Sequence, residues 1–348
     1  MSYGIGILGT GMIAQHHARA IAGVDKARVV AFASRSKERA QGIADEFGCR
    51  GYGDYSAMLA DPEVQIVSIC TPSGAHMEPA IAAAEAGKHI IIEKPLEISL
   101  ERCDRIIDAA QKHGVQLGGV FQSRFFEASR LVKSAVDSGR FGDIVLADAY
   151  VKWFRPQEYY DNGGWKGTAA LDGGGALMNQ SIHAIDLLLW FCGPVRSVQA
   201  LKGVRGHERI EVEDTAVAAL EFENGAMGVL EGSTAVFPGF LKRIEISGTK
   251  GSAILEEEDL KTWTFSNEEP EDEEIRKRFS SETATGGGAS DPGAIGTESH
   301  RKQFQNFVQA LESGRQLELD GLEARKAVAL VLAIYESAET GAPVRVSR

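Results

Sequence analysis

Cysteine is scarce and scattered: Cys49, Cys70, Cys103 and Cys192 are the only four, with no C-x-x-C spacing. That excludes a disulfide framework and argues against a structural zinc site. Reduced thiols suggest a cytoplasmic compartment. Positive charge is also in deficit, with 37 Lys and Arg against 49 Asp and Glu and a net charge of −12. A nucleic-acid surface needs a basic stripe, so no nucleic-acid partner is expected. No apolar run approaches the ~20 residues that span a bilayer. The opening Met1-Ser2-Tyr3 shows none of the regions of an export leader. No membrane partner is expected. Internal repeats and low-complexity domains are absent as well.

What is present begins at the N-terminus. Gly4-Ile5-Gly6-Ile7-Leu8 is an apolar strand, and Gly9-Thr10-Gly11-Met12-Ile13-Ala14 follows it as G-x-G-x-x-A into helical sequence. Gly9 permits a tight turn, and Gly11 lets bare backbone approach a pyrophosphate at a helix N-terminus. Ala14 is small enough for the helix to pack closely on the strand. The motif alone is weak in a chain with 39 glycines. The strand before it and the helix after it make it a dinucleotide signal.

At 348 residues two domains are expected. Strands are expected at Ile5–Leu8, Ala27–Ala33, Gly51–Tyr52, Ile66–Cys70, His89–Ile92 and Gln116–Val120. Helices are expected at Met12–Ala22, Lys37–Phe47, Asp54–Ala60, Met77–Ala86 and Leu100–His113. Short β-branched runs alternating with amphipathic helices imply a doubly wound parallel sheet over residues 1–122, an α/β fold. Residues 123–348 change character. A helix at Phe126–Ser138 and a strand at Ile144–Phe154 precede a helix at Gly175–Phe191. Strands Ser197–Val204, Asp214–Phe222, Met227–Ala235 and Lys242–Gly248 follow, with hairpin turns at Glu223-Asn224-Gly225 and Gly248-Thr249-Lys250-Gly251. This reads as an α+β domain with a large, mostly antiparallel sheet carrying helices on one face. Its other face suits a second subunit, hence a homodimer or homotetramer. Asn267–Gly296, acidic and then glycine-rich, reads as a mobile loop or a lid. Helices Glu298–Ser313 and Leu322–Thr340 close the chain and are expected to pack back on the first domain.

An acid that would accept hydrogen bonds from a ribose 2′-hydroxyl belongs at the end of the second strand. Ser34 stands there instead, followed by Arg35, Lys37 and Arg39. Hydroxyl and guanidinium groups suit a 2′-phosphate, so NADP is favoured over NAD. Glu93-Lys94-Pro95 ends another strand, where a parallel sheet meets its ligand. There the Lys94 ammonium can stabilise alkoxide charge on a reacting oxygen. In Leu171-Asp172-Gly173-Gly174-Gly175…Asn179…His183…Asp186 the last three share one helical face. His183 is the side chain suited to take an alcohol proton near neutral pH. The alternative for each is structural: a surface lysine before a turn, a satisfied core histidine.

Together these three motifs resemble the Gfo/Idh/MocA oxidoreductases over essentially the whole chain. The resemblance implies a Rossmann domain, an open-faced α/β domain, and NAD or NADP bound between them. It also implies hydride transfer at a carbinol carbon of a sugar, sugar derivative or polyol. It matches Lys94 and His183 to the family's catalytic residues and places Asn179 where an Asp is usual. An amide there orients the ring without adding charge. Thr71, Pro72, Ser73 and His76, with Glu93, are implied at the cofactor, and Gln122 at the nicotinamide amide. The loop from Arg155 through Tyr160 to Trp165 is implied at the substrate edge. Arg155 suits a carboxylate, and Trp165 suits a sugar face or the cofactor. No metal is called for, because Lys94 does the polarising. Two rival functions remain: redox-neutral glycoside cleavage or elimination through transient oxidation, and a non-catalytic dinucleotide sensor.

Overall fold

The computed structural model describes residues 2–162, 164–279 and 296–347. The chain forms two compact units, one of residues 1–122 with 296–328, the other of residues 123–295 with 329–348. In the first, strand and helix alternate: β1 (Tyr3–Leu8), α1 (Met12–Ile21), β2 (Ala27–Ala33), α2 (Lys37–Glu46), β3 (Arg50–Tyr52), α3 (Tyr55–Leu59), β4 (Ile66–Ile69), α4 (Met77–Glu85), β5 (His89–Ile92), α5 (Leu100–His113) and β6 (Leu117–Gly119). The six strands pair in the order β3-β2-β1-β4-β5-β6, every pair parallel. Helices on both faces bury such strands from both sides, so β4 is buried at all four positions. Phe304, Phe307 and Val308, from a late helix of the chain, join Ile5, Ile7, Ala18, Ile21 and Phe32 in one apolar core.

The second unit contains α6 (Glu127–Asp137), β7 (Ile144–Lys152), α7 (Gln157–Asp161), a π-helical turn (Ala176–Ser181), α8 (Ile182–Cys192), β8 (Val195–Gly203), β9 (Thr215–Phe222), β10 (Met227–Ser233), β11 (Arg243–Gly248), β12 (Gly251–Glu256), β13 (Asp259–Phe265) and α9 (Pro270–Arg278). Helix α10 (Glu298–Ser313) and the first turns of α11 (Gly321–Thr340) count with the first unit. The remainder of α11 and β14 (Val344–Arg345) count with the second. Eight strands pair in the order β13-β12-β11-β7-β10-β9-β8-β14. All neighbours are antiparallel except β7 and β10. In β9 burial alternates residue by residue, the mark of a sheet covered on one face. No helix among the described residues is long and apolar enough to cross a membrane.

Two expectations need correction. The hairpin turn at Gly248–Gly251 leads into β12 and β13, two strands beyond those foreseen. The acidic run is not a loop: Pro270–Arg278 is helix α9. Pro270 stands in its first turn, and Glu269 and Asp272 form a reciprocal capping box. Acids fill its first turn and Arg276, Lys277 and Arg278 its last, which complements the helix dipole. Asp272 is buried, receiving Trp263 Nε1–H at 2.6 Å and Arg140 at 2.6 and 2.9 Å. These bonds hold its carboxyl well below the usual range against the effect of burial. The glycine-rich part proposed as a lid, residues 280–295, lies outside the described residues.

Candidate active site

Because the first sheet is all parallel, β1, β2, β4, β5 and β6 deliver their carboxyl ends to one edge. Gly9, Ser34, Thr71, Lys94 and Gln122 therefore gather there. Gly9 has φ +125°, and a Cβ on it would lie 2.7 Å from the Cys70 carbonyl oxygen, so only glycine fits. Gly11 is the N-cap of α1, with no side-chain cap and no acid in the first turn. A Cβ on Gly11 would meet nothing within 4 Å. The helix start is open and its N–H groups face outward, as pyrophosphate binding requires. Gln122 is buried, and its Oε1 has no hydrogen-bond partner among the described residues. Such an orphaned acceptor costs stability unless a ligand fills it. Open helix end and orphaned amide oxygen both fit a nicotinamide dinucleotide.

At the end of β2, Ser34 Oγ donates to the Ser36 carbonyl, and Ser36 caps α2 through Arg39 N–H. Arg35 and Arg39 point into solvent. His76 is buried, and burial lowers the pKa of its ring. One ring nitrogen lies 3.0 Å from the Pro95 carbonyl and the other 3.0 Å from the Thr71 carbonyl. His76 therefore ties the Thr71-Pro72-Ser73 turn to the turn after Lys94. Glu93 turns inward: its carboxylate meets His17 and the Lys94 backbone N–H. Lys94 itself is half-buried, and the Lys94–Pro95 peptide is cis.

In the second unit the glycine run has local causes. Gly173 has φ +72°. A side chain on Gly174 would strike the Tyr335 hydroxyl, and one on Gly175 the Glu213 carbonyl. The Glu213 carboxylate receives Gly175 N–H at 3.0 Å, Leu177 N–H at 2.8 Å and the Tyr335 hydroxyl at 2.8 Å. It caps the helix that follows, and burial pushes its carboxyl up. That helix opens as a π turn, a form common at functional sites. His183 sits half-buried in the first turn of α8.

Of the three residues expected on one helical face, Asn179 lies in the π turn, and His183 and Asp186 stand three apart in α8. Asp186 turns into the core, gripped by Arg124 Nε at 2.8 Å and Nη2 at 2.6 Å. Asn179 Nδ2 donates to the buried Asp172 at 2.6 Å, and Asp172 also receives Gly167 N–H at 2.8 Å. Gln180 links Asn179 Oδ1 (3.3 Å), the Tyr159 hydroxyl (3.0 Å) and Arg155 Nη2 (3.1 Å). The Lys166 ammonium stands 3.6 Å over the Tyr159 ring. Arg155 is 1% exposed and also donates to the Phe154 carbonyl. Tyr160 anchors the loop, bonding Thr234 at 2.9 Å. Trp165 stands half-buried nearby in sequence. Asp172 and Gln180 were not singled out from sequence; adjacency to the glycine run and to Asn179 was their only signal.

Residues 3–120 match the family model of the NAD-binding Rossmann oxidoreductases, and residues 129–254 that of the GFO/IDH/MocA C-terminal domain. The chain is 34% identical to the WlbA dehydrogenase of Bordetella pertussis, whose crystal structure holds NADH and UDP-GlcNAcA. The match covers 100% of this chain and 98% of that one, with a TM-score of 0.91. Myo-inositol 2-dehydrogenase of Thermotoga maritima is 27% identical over 96% of both chains. The NAD-dependent scyllo-inositol 2-dehydrogenase of Bacillus subtilis is 30% identical over 72% of both.

Proposed function

We propose a division of labour that starts from one premise: the chain belongs to the Gfo/Idh/MocA oxidoreductase family. It is an NAD-dependent oxidoreductase acting on a CH–OH carbon of a sugar or polyol. The dinucleotide, when bound, supplies or accepts the hydride. The backbone of Gly9-Thr10-Gly11-Met12-Ile13 receives the pyrophosphate, with the Thr71-Pro72-Ser73 turn beside it, and Gln122 Oε1 accepts from the carboxamide. The exposed Arg35 and Arg39 also admit a 2′-phosphate, so NADP is a second cofactor.

Lys94 donates a hydrogen bond to the substrate oxygen and stabilises its developing negative charge. His183 takes the hydroxyl proton in oxidation and returns it in reduction. Asn179, held by Asp172, orients the reacting group without adding charge. The observation that supports this most is the pinned Lys94 turn at the carboxyl edge of a parallel sheet whose glycine turn is open. The substrate is a sugar acid, its carboxylate received by Lys166, with the buried Arg155 behind it fixing Gln180. The 34% identity to a dehydrogenase crystallised with UDP-GlcNAcA supports that choice. The uncovered face of the second sheet, with Leu201 opposite Val217, pairs with a second copy of this chain.

Activity is read as nicotinamide absorbance across inositols, neutral sugars, free uronic acids and nucleotide-linked uronic acids, with NAD⁺ and NADP⁺. Turnover on the acids, lowered about 10²–10³-fold by Lys94→Ala and about 10²–10⁴-fold by His183→Ala, is the expected result. Activity on neutral polyols alone would overturn the sugar-acid assignment.

A further inference from the structure

Beneath the Lys94 turn runs a buried polar chain that hydride transfer does not itself use. His17, on α1, is 0% exposed. Its Nε2 lies 2.8 Å from Glu93 Oε1, while its Nδ1 lies 2.8 Å from Ser68 Oγ and 3.3 Å from Cys70 Sγ. Glu93 Oε2 accepts the Lys94 backbone N–H at 3.0 Å. The path thus runs from the glycine-turn helix, through one imidazole and one carboxylate, to the backbone of Lys94.

The pair is ionic. Burial opposes a charged His17 ring, but Cys70 and Glu93 more than offset it and hold the ring protonated well above its ordinary value. Burial also opposes the Glu93 carboxylate, and His17 holds it well below the usual range. The other groups facing the pair carry no competing positive charge from imidazole. His300 is pushed down to about 3 by burial, with the His17 charge adding to the effect. His16 is lowered by burial and by His17. His76, across the turn from Glu97, is lowered by burial. Phe304 closes the cluster edge-on, 5.1 Å from the His17 ring. The Lys94 charge also acts on Glu93.

We propose that His17 is a positioning residue for Lys94: its ring engages Glu93 Oε1 while Glu93 Oε2 holds the Lys94 backbone N–H, which ties the Lys94 turn to the glycine-turn helix. The proposal rests on the reading of Lys94 as the group at the substrate oxygen.

His17→Gln keeps a donor toward Glu93 and removes the charge. The expected result is a 10- to 100-fold fall in kcat, an NAD⁺ Kd by fluorescence titration within 3-fold of wild type, and a basic limb of kcat/KM moved to higher pH. Glu93→Gln removes the carboxylate and moves that limb to lower pH, which provides a test should His17→Gln fold poorly. The double variant returns the limb toward wild type. Parallel losses of kcat, NAD⁺ binding and Tm with no limb shift in either single variant would mean a purely structural pair and overturn the proposal. So would stoichiometric zinc by elemental analysis with chelator-sensitive turnover, since ligand atoms of His17, Glu93 and His300 lie within 4.8 Å of one another. Lys94→Ala separates the two levels. If it is inactive while His17→Gln behaves as wild type, only the positioning role fails. If Lys94→Ala stays active, the reading of Lys94 fails first.

Discussion

The two sheets answer the same problem of burial in different ways. In the parallel sheet β4 and β5 carry Ile-Val-Ser-Ile and His-Ile-Ile-Ile, buried at every position except His89. In the mixed sheet β9 reads Thr-Ala-Val-Ala-Ala-Leu-Glu-Phe, with every second residue buried and the rest facing out. A strand covered on both sides has no position free for a charge, whereas one covered on a single side keeps half its positions for other uses. Each unit nevertheless buries a charged pair, His17 with Glu93 in the first and Arg124 with Asp186 in the second, while pairs such as Arg196 with Glu221 stay on the surface.

Removing one partner of a fully buried pair probes that contrast hardest. Asp186→Ala strands Arg124 in the core beside Trp190 and should cost about 3–5 kcal/mol in urea unfolding. A loss under 1 kcal/mol would show that water reaches this side of α8. Ile69→Ala, in the doubly covered β4, should cost about 2–5 kcal/mol by the same measurement.

The His17–Glu93 pair predicts a pH dependence. The folded value of His17 is raised, so its contribution is complete below the ordinary 6.5 and fades as pH rises toward the folded value. The folded value of Glu93 is lowered, so its contribution is complete above 4.5 and fades as pH falls toward the folded value. The stability gap between wild type and His17→Gln should therefore be widest between 4.5 and 6.5 and narrow on either side. A gap that keeps growing up to pH 9 would contradict the ion pair. The smallest effect is expected on the open face. Leu201→Ser should change unfolding free energy by no more than about 0.5 kcal/mol, yet lower the apparent mass in light scattering if two copies meet there.

Much of this was legible from the chain. Unbroken β-branched runs between amphipathic helices announced the parallel sheet, and long strands joined by a hairpin turn announced β8 to β10. The glycine turn, Lys94 and His183 stood out because each combines an unusual residue with a punctuated position. The fate of the acidic run was hidden because a decisive contact, Asp272 with Arg140, joins residues far apart in sequence. The strands β12 and β13 were missed because Glu257, with φ 52°, makes a tight turn without glycine. The π turn was hidden for a different reason: a regular 3.6-residue helix was assumed from Gly175 onward, and no residue pattern marks Ala176–Ser181 as wider.

That wide turn has a kinetic consequence. A π turn closes each hydrogen bond over one more residue than an α turn does. The Ser181 hydroxyl takes up the Ala176 carbonyl at 2.7 Å, a role normally left to a backbone amide. The regular i-to-i+4 ladder is interrupted there. Deuterium should enter at residues 178–182, which are all buried, before it enters at 186–191, where Leu189 and Trp190 are half-buried. The helix that carries His183 would then open from its Asn179 end while its far end stays shut, placing the slack of the second unit in the turn that leads to His183.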